Sequence, residues 1–205
     1  TVRVAGAGTA QLSGFDINYP MLQTDASASG SALAPSINVC GAGYGFRLLT
    51  AAGTQTSTGD LEIAGNLLNS SVDGFGVYFY GNGSVLLTGE SSSFTNNKRN
   101  KITVDTGTLI FGGSSAFAGA DYGGAVVLDN GAKLRFDRTV SNQWISGVIS
   151  GNGSLLKGST GTLTLTSANT YTGDTTVDGG VLSLGGSAIA DANKLIVNGG
   201  RLELP

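Results

Sequence analysis

The sequence predicts an all-β chain wound as a right-handed parallel β-helix, a β-solenoid. Three observations predict it. Apolar and polar residues alternate over short runs, as in Thr162-Leu163-Thr164-Leu165-Thr166, so that Leu163 and Leu165 share one strand face. Gly, Asn and Asp punctuate these runs, and they are the residues that accept positive φ or close turns through a side chain. The unit also recurs: Gly83, Gly107, Gly131, Gly153, Gly180 and Gly200 each lead into an apolar pair, at steps of 24, 24, 22, 27 and 20 residues. One coil that cannot bury its apolar side alone, and so stacks on the next, has that signature. The six glycines are expected at corresponding corners, with Leu109, Leu134, Leu163, Leu182 and Leu202 in the core.

The chain is expected to be a single β-helical unit over residues 1–205, irregular or loop-bearing in 1–101 and most regular in 102–205. In chain order, Val2 and Val4 alternate over the first residues. Phe15 to Pro35 is irregular, with a Tyr19-Pro20 turn and an Ala/Ser/Gly run that reads as a loop. Alternation resumes at Ile37-Asn38-Val39-Cys40. Phe46 to Leu49, Leu61-Glu62-Ile63 and Val77-Tyr78-Phe79-Tyr80 read as further strands. Ser91 to Lys101 is polar and ends in Lys98-Arg99-Asn100-Lys101. From Ile102 onward the pattern is clearest, and corners shrink to two or three turn residues.

The 205 residues include 34 glycines and only three prolines. A ladder strand needs its N–H groups, so scarce proline suits stacked coils. Hydrophobic residues are 40% and periodic, which opposes disorder. The net charge of −3 argues against a nucleic-acid partner. No apolar run approaches the ~18 residues of a membrane helix. No signal peptide is visible at Thr1; the expectation is a chain already processed or excised from a longer one.

One stretch carries a family resemblance: Gly151, Gly153, Leu155, Lys157, Gly161, Leu163 and Leu165, then Asn169-Thr170-Tyr171 with Gly173, then Thr175, Val177, Gly180 and Leu182. This pattern resembles the autotransporter-associated β-strand repeat of bacterial autotransporter passenger domains. It departs at Ser159-Thr160, where a second glycine is common. Phe94-Thr95-Asn96-Asn97 and Gly123-Gly124-Ala125-Val126 are similar to the short motifs of chlamydial polymorphic membrane proteins, also autotransporters. The resemblance implies a secreted or surface-displayed passenger, exported through the outer membrane by a translocator β-barrel of the same precursor. It implies adhesion or host-cell interaction, with a host receptor, matrix protein or glycan as partner. A polysaccharide-degrading β-helix enzyme or a toxin fragment stays open as the alternative.

Candidate chemistry is sparse. The chain has no histidine, so Ser-His-Asp and Cys-His arrangements are excluded, and no catalytic, cofactor or metal residues are assigned. Asp105, Asp129 and Asp178 each precede a turn glycine and are expected to close Asx-type turns on local backbone. Asp60 and Glu62 would share a strand face as solvated acids. Cys40, alone in the chain, is expected to pack as a small apolar residue. Thr162, Thr164 and Thr166 form a row like that of an ice-binding face, but it does not recur in register. Tyr78 and Tyr80, alternating with Phe79, are expected to belong to core-plus-surface packing of one strand; exposure would favour a sugar platform instead. The residues named as a possible ligand-contact loop are Lys98, Arg99 and Lys101.

Overall fold

A computed structural model describes residues 2–4, 21–24, 31–33, 37–39, 46–49, 61–63, 67–69, 76–89, 101–113, 117–139, 142–185, 189 and 194–204. Every strand pairing is parallel and joins one coil to the next. The first sheet has seven strands: Val2–Val4, Met21–Thr24, Phe46–Leu49, Gly76–Tyr80, Lys101–Val104, Ala125–Leu128 and Ile149–Gly151. The second has eight: Ser31–Leu33, Leu61–Ile63, Ser84–Leu87, Thr108–Phe111, Lys133–Phe136, Ser154–Lys157, Thr175–Val177 and Leu195–Val197. The third has five: Asp121–Tyr122, Gln143–Ile145, Thr162–Leu165, Val181–Ser183 and Arg201–Glu203. Ile37–Val39 pairs separately with Leu67–Asn69. The chain is thus an all-β parallel solenoid. Its one described helical element is a 3-10 turn at Phe117–Ala120.

Alternation places the core. Strand Gly76–Tyr80 buries Val77 and Phe79 and turns Tyr78 and Tyr80 outward. Ladder register then stacks like on like. Val77, Ile102, Val126 and Ile149 form one buried column of the first sheet. Leu87, Phe111, Phe136, Lys157 and Val177 form one of the second. Gln143, Leu163, Leu182 and Leu202 form one of the third. Leu109, Leu134, Leu163 and Leu182 are all fully buried as expected, and Leu202 is half-buried against the same core. Leu182→Ala should therefore cost roughly 2 to 5 kcal/mol. A denaturation midpoint left unchanged by that substitution would contradict its inward position.

The glycine series is corrected by the register. Gly83, Gly107 and Gly153 do share a corner, ahead of the second sheet; their carbonyls accept from Thr108 N, Lys133 N and Gly173 N of the next coil. Gly173, not Gly180, continues that column. Gly180 and Gly200 lie ahead of the third sheet, where Gly180 O accepts from Arg201 N. Gly131 is one residue out of line. Asn130 and Gly131 both have positive φ, 48° and 73°, and Ala132 N donates to Asp129 O at 2.8 Å. That is the Asn-Gly pattern of a type I′ turn. The turn inserts one residue, so Ala132 occupies the corner position, and its carbonyl accepts from Ser154 N of the next coil at 2.9 Å.

Candidate functional site

The sequence singled out six candidates, and the structure describes some of their residues. Lys98 and Arg99 lie outside the described residues. Lys101 is exposed, but it opens the strand Lys101–Val104 rather than belonging to a loop. Cys40 and Asp60 also lie outside the described residues. Glu62 is half-buried and accepts a bond from Thr88 Oγ1 at 2.7 Å.

Two of the three corner acids, Asp105 and Asp178, act between coils rather than on local backbone. Asp105 Oδ1 accepts from Asn130 Nδ2 at 2.8 Å, and Asp178 Oδ1 from Asn198 Nδ2 at 2.8 Å. Asn152 Oδ1 accepts from Gly131 N at 2.9 Å. The position before a turn glycine, which suggested an Asx turn, recurs once per coil, so these side chains meet corner groups one rung away. Among the described residues, no group of three or more His, Cys, Asp or Glu is placed to hold a metal ion.

On the first sheet, the Tyr78 and Tyr80 rings stack at 6.1 Å with an interplanar angle of 15°. Both are half-buried, and the Tyr78 ring lies over Gly76. The third sheet presents a different outward surface. Thr164 stands between Trp144 and Ser183, so the threonine row is confined to one strand, as the sequence suggested. Trp144 is 38% exposed. It is the chain's one tryptophan, and its neighbours could be named only once the register was known.

The stretch from Gly151 to Leu184 shows why its residues are required. Leu155 and Lys157 point inward on the second sheet, Leu163 and Leu165 on the third. Asn169 to Thr172 then extends the first sheet: Thr170 N donates to Ile149 O at 2.8 Å and Thr172 N to Gly151 O at 2.9 Å. Asn169 is buried, and its Oδ1 accepts from Ile149 N at 2.9 Å, replacing a backbone acceptor. Tyr171 is fully buried and its hydroxyl pairs with Thr175 Oγ1 at 2.6 Å. Lys157 stands in an inward column; its ammonium donates to Ser159 O and, at 3.4 Å, to Gly179 O, the carbonyls of two successive corners. Burial lowers its pKa below the ordinary value of 10.5, and the nearby Asp137 partly opposes this.

Burial raises the pKa of both Tyr122 and Tyr171 above the ordinary 10.0; for Tyr171 the bond to Thr175 acts the other way. In the unfolded chain both ionise near 10. Above that pH the folded state holds more protons than the unfolded one, so stability falls as pH rises. Lys157 has the opposite sign, adding stability as pH approaches 10.5 from below, but it is one group against two. The melting midpoint should therefore drop between about pH 9.5 and about pH 11, and Tyr171→Phe should soften the drop. An unchanged slope in that variant would remove Tyr171 as a cause.

With this geometry in place, the comparisons define the class. Residues 155–184 match the passenger-associated-transport-repeat family. The buried Leu155, Lys157, Leu163, Leu165, Tyr171, Thr175, Val177 and Leu182 all fall in that span. The solenoid and this repeat are similar to those of autotransporter passenger domains, a likeness that supports export through the outer membrane to the cell surface or beyond. Among known proteins, the adhesin BmaC autotransporter of Brucella suis biovar 1 (strain 1330) is 34% identical over 149 residues, which cover 53% of this chain and 4% of that protein. The chain thus spans a small fraction of the relative it matches. No solved structure matches it.

Proposed function

We propose that this chain is a segment of a surface-displayed β-helical stalk that acts, without enzymatic chemistry, in adhesion or host-cell interaction. The observation that carries this reading is the identity to an autotransporter adhesin, 34% over 149 residues. The fold is compatible with it. A solenoid closes its own core coil by coil and leaves its outward sheet faces and loops free for contact. The precursor would supply a translocator β-barrel, and the partner would be a host receptor, matrix protein or glycan. The basic residues Lys98, Arg99 and Lys101 are proposed as one contact, since exposed cations steer encounter with an anionic surface.

The test is display of this segment on a non-adherent bacterium through a heterologous translocator barrel, with counts of bacteria retained on epithelial cells and on immobilised matrix proteins. Retention above the barrel-only strain supports adhesion. Equal retention on every surface refutes it. If adhesion survives replacement of Lys98, Arg99 and Lys101 by serine in a folded variant, recognition lies elsewhere on the rod.

A further inference from the structure

The third sheet carries an exposed indole in surroundings that suit neither a core nor a protein interface. Strand Gln143–Ile145 buries Gln143 and Ile145 and turns Trp144 outward. Register places Asp121 beside Trp144 on one neighbouring strand and Thr164 on the other, each about 4.8 Å away along the rod. Two residues further on, just past the strand, Ser146 enters a shallow groove lined by Gly123, Ala125, Gly147, Val148 and Ser167. The groove is made of small residues because the corner is tightly stacked: a Cβ at Gly147 would collide with the Gly124 carbonyl. Ser167 Oγ donates to Ser146 O at 2.6 Å, and Asp121 accepts from Ser146 N at 3.2 Å and Ser146 Oγ at 3.0 Å.

The strand beneath the indole is held by a buried amide. Gln143 Oε1 accepts from Phe117 N at 2.8 Å, and Nε2 donates to Phe117 O, Ala120 O and Trp144 O at 3.1, 3.2 and 3.0 Å. A buried polar side chain with its partners in place fixes local geometry. The backbone that carries Trp144 is therefore fixed, with Asp121 on one neighbouring strand, Thr164 on the other and a groove that begins at Ser146, two residues further on.

We propose that Trp144, with Asp121, Ser146, Thr164 and the adjoining groove, binds a neutral oligosaccharide. The inference deepens the adhesion reading and rests on it for its biological role. A sugar ring is amphipathic in the required way. Its C–H face packs on the electron-rich face of the indole, and its hydroxyl edge meets carboxylate and hydroxyl partners. Asp121 has acceptor capacity left beyond its two bonds to Ser146. A protein partner would need several apolar anchors over about 800 Å². On this corner the exposed large apolar side chains are Trp144 and Val148. A polyanionic glycan is disfavoured by Asp121 and by the net charge of −3.

Because the chain holds one tryptophan, its fluorescence reads the site directly. Titration with cellohexaose, maltoheptaose, xylohexaose and chitohexaose should give a saturable change in emission for at least one, with heparin weaker. Calorimetry on Trp144→Ala should show affinity for that sugar reduced roughly tenfold or more at an unchanged melting midpoint, with Trp144→Phe intermediate. Thr164→Ala, which leaves the indole in place, should weaken binding less. No saturable response to any of the four sugars, undiminished binding by Trp144→Ala, or strongest binding to heparin would each overturn the proposal. Cell retention separates the two readings. Adhesion that persists in Trp144→Ala overturns this site as the adhesive contact and leaves adhesion standing. Sugar binding by a wild-type segment that does not adhere keeps the site and overturns adhesion.

Discussion

Phe136→Ala is expected to lower stability by roughly 3 to 5 kcal/mol. Phe136 is 2% exposed and stacks on Phe111 of the preceding coil, with ring centroids 4.9 Å apart at 14°. Phe111 in turn meets Phe117 edge-on at 4.6 Å, and Phe117 meets Tyr122 at 5.6 Å. Truncating Phe136 removes the ring and leaves a void between rungs. The void cannot collapse along the rod, because the ladders from Lys133–Phe136 to Thr108–Phe111 and to Ser154–Lys157 fix the rung spacing. Collapse across the rod is opposed by the other two sheets. The loss should therefore lie at the upper end for a large-to-small change. It should also be local, since coils in a stacked repeat are coupled mainly to their neighbours. Hydrogen exchange should accelerate at residues 108–111, 133–136 and 154–157, and much less at 195–203. Uniform acceleration along the chain would mean that the rod unfolds as one unit and that the nearest-neighbour picture does not apply.

Much of this core was legible because the period of a strand is two. Leu163 and Leu165, or Leu182 and Leu184, announce an inward face without reference to any other coil. What could not be read was the pairing of one coil with another. From Ser84 onward coil length varies from 20 to 25 residues, as the register from Ser84 through Thr108 and Lys133 to Ser154, and from Leu155 through Thr175 to Leu195, shows. A glycine before an apolar pair marks a corner, but the corner ahead of the second sheet and the one ahead of the third use the same chemistry. Gly153 and Gly180 therefore looked like one series. The Asn130-Gly131 turn added a residue, and nothing in a spacing of 24 followed by 22 distinguishes an inserted turn from an ordinary corner.

The candidate surface was obscured for a related reason. In Gln143-Trp144-Ile145, alternation puts the amide and the isoleucine on one face and the indole on the other, and composition does not choose which face is inward. The amide is inside because Phe117–Ala120 offers it backbone partners, and the indole is outside. Those partners are more than 20 residues away in sequence. Lys157 is similar, since a lysine in an inward column makes sense only once the corner carbonyls of Ser159 and Gly179 are in place. Local periodicity predicts which residues can be buried; the neighbouring coil decides which polar ones are.

Gly107→Ala is expected to cost about 3 kcal/mol or more, and Gly131→Ala only about 1 to 2 kcal/mol. The two glycines share almost the same backbone conformation, with φ of 75° and 73°. An alanine at either position meets the penalty of a left-handed conformation. They differ in what surrounds them. A Cβ at Gly131 would have nothing within 4 Å, since the Asn130-Gly131 turn stands clear of the stack. A Cβ at Gly107 would collide with the carbonyl oxygens of Gly83 and Gly81 in the preceding coil. Neither carbonyl can yield cheaply. Gly83 O accepts from Thr108 N at 3.1 Å, and Gly81 O accepts from Thr106 Oγ1 at 2.9 Å, the hydroxyl that also receives Gly81 N. Relief of the collision must lengthen these bonds and open the corner between two rungs, leaving backbone groups without partners. The difference between the two variants, read from denaturant midpoints at equal m-values, isolates the stacking term from the conformational one. Equal losses would show that the corner can relax, and that Gly107 is required only for its φ.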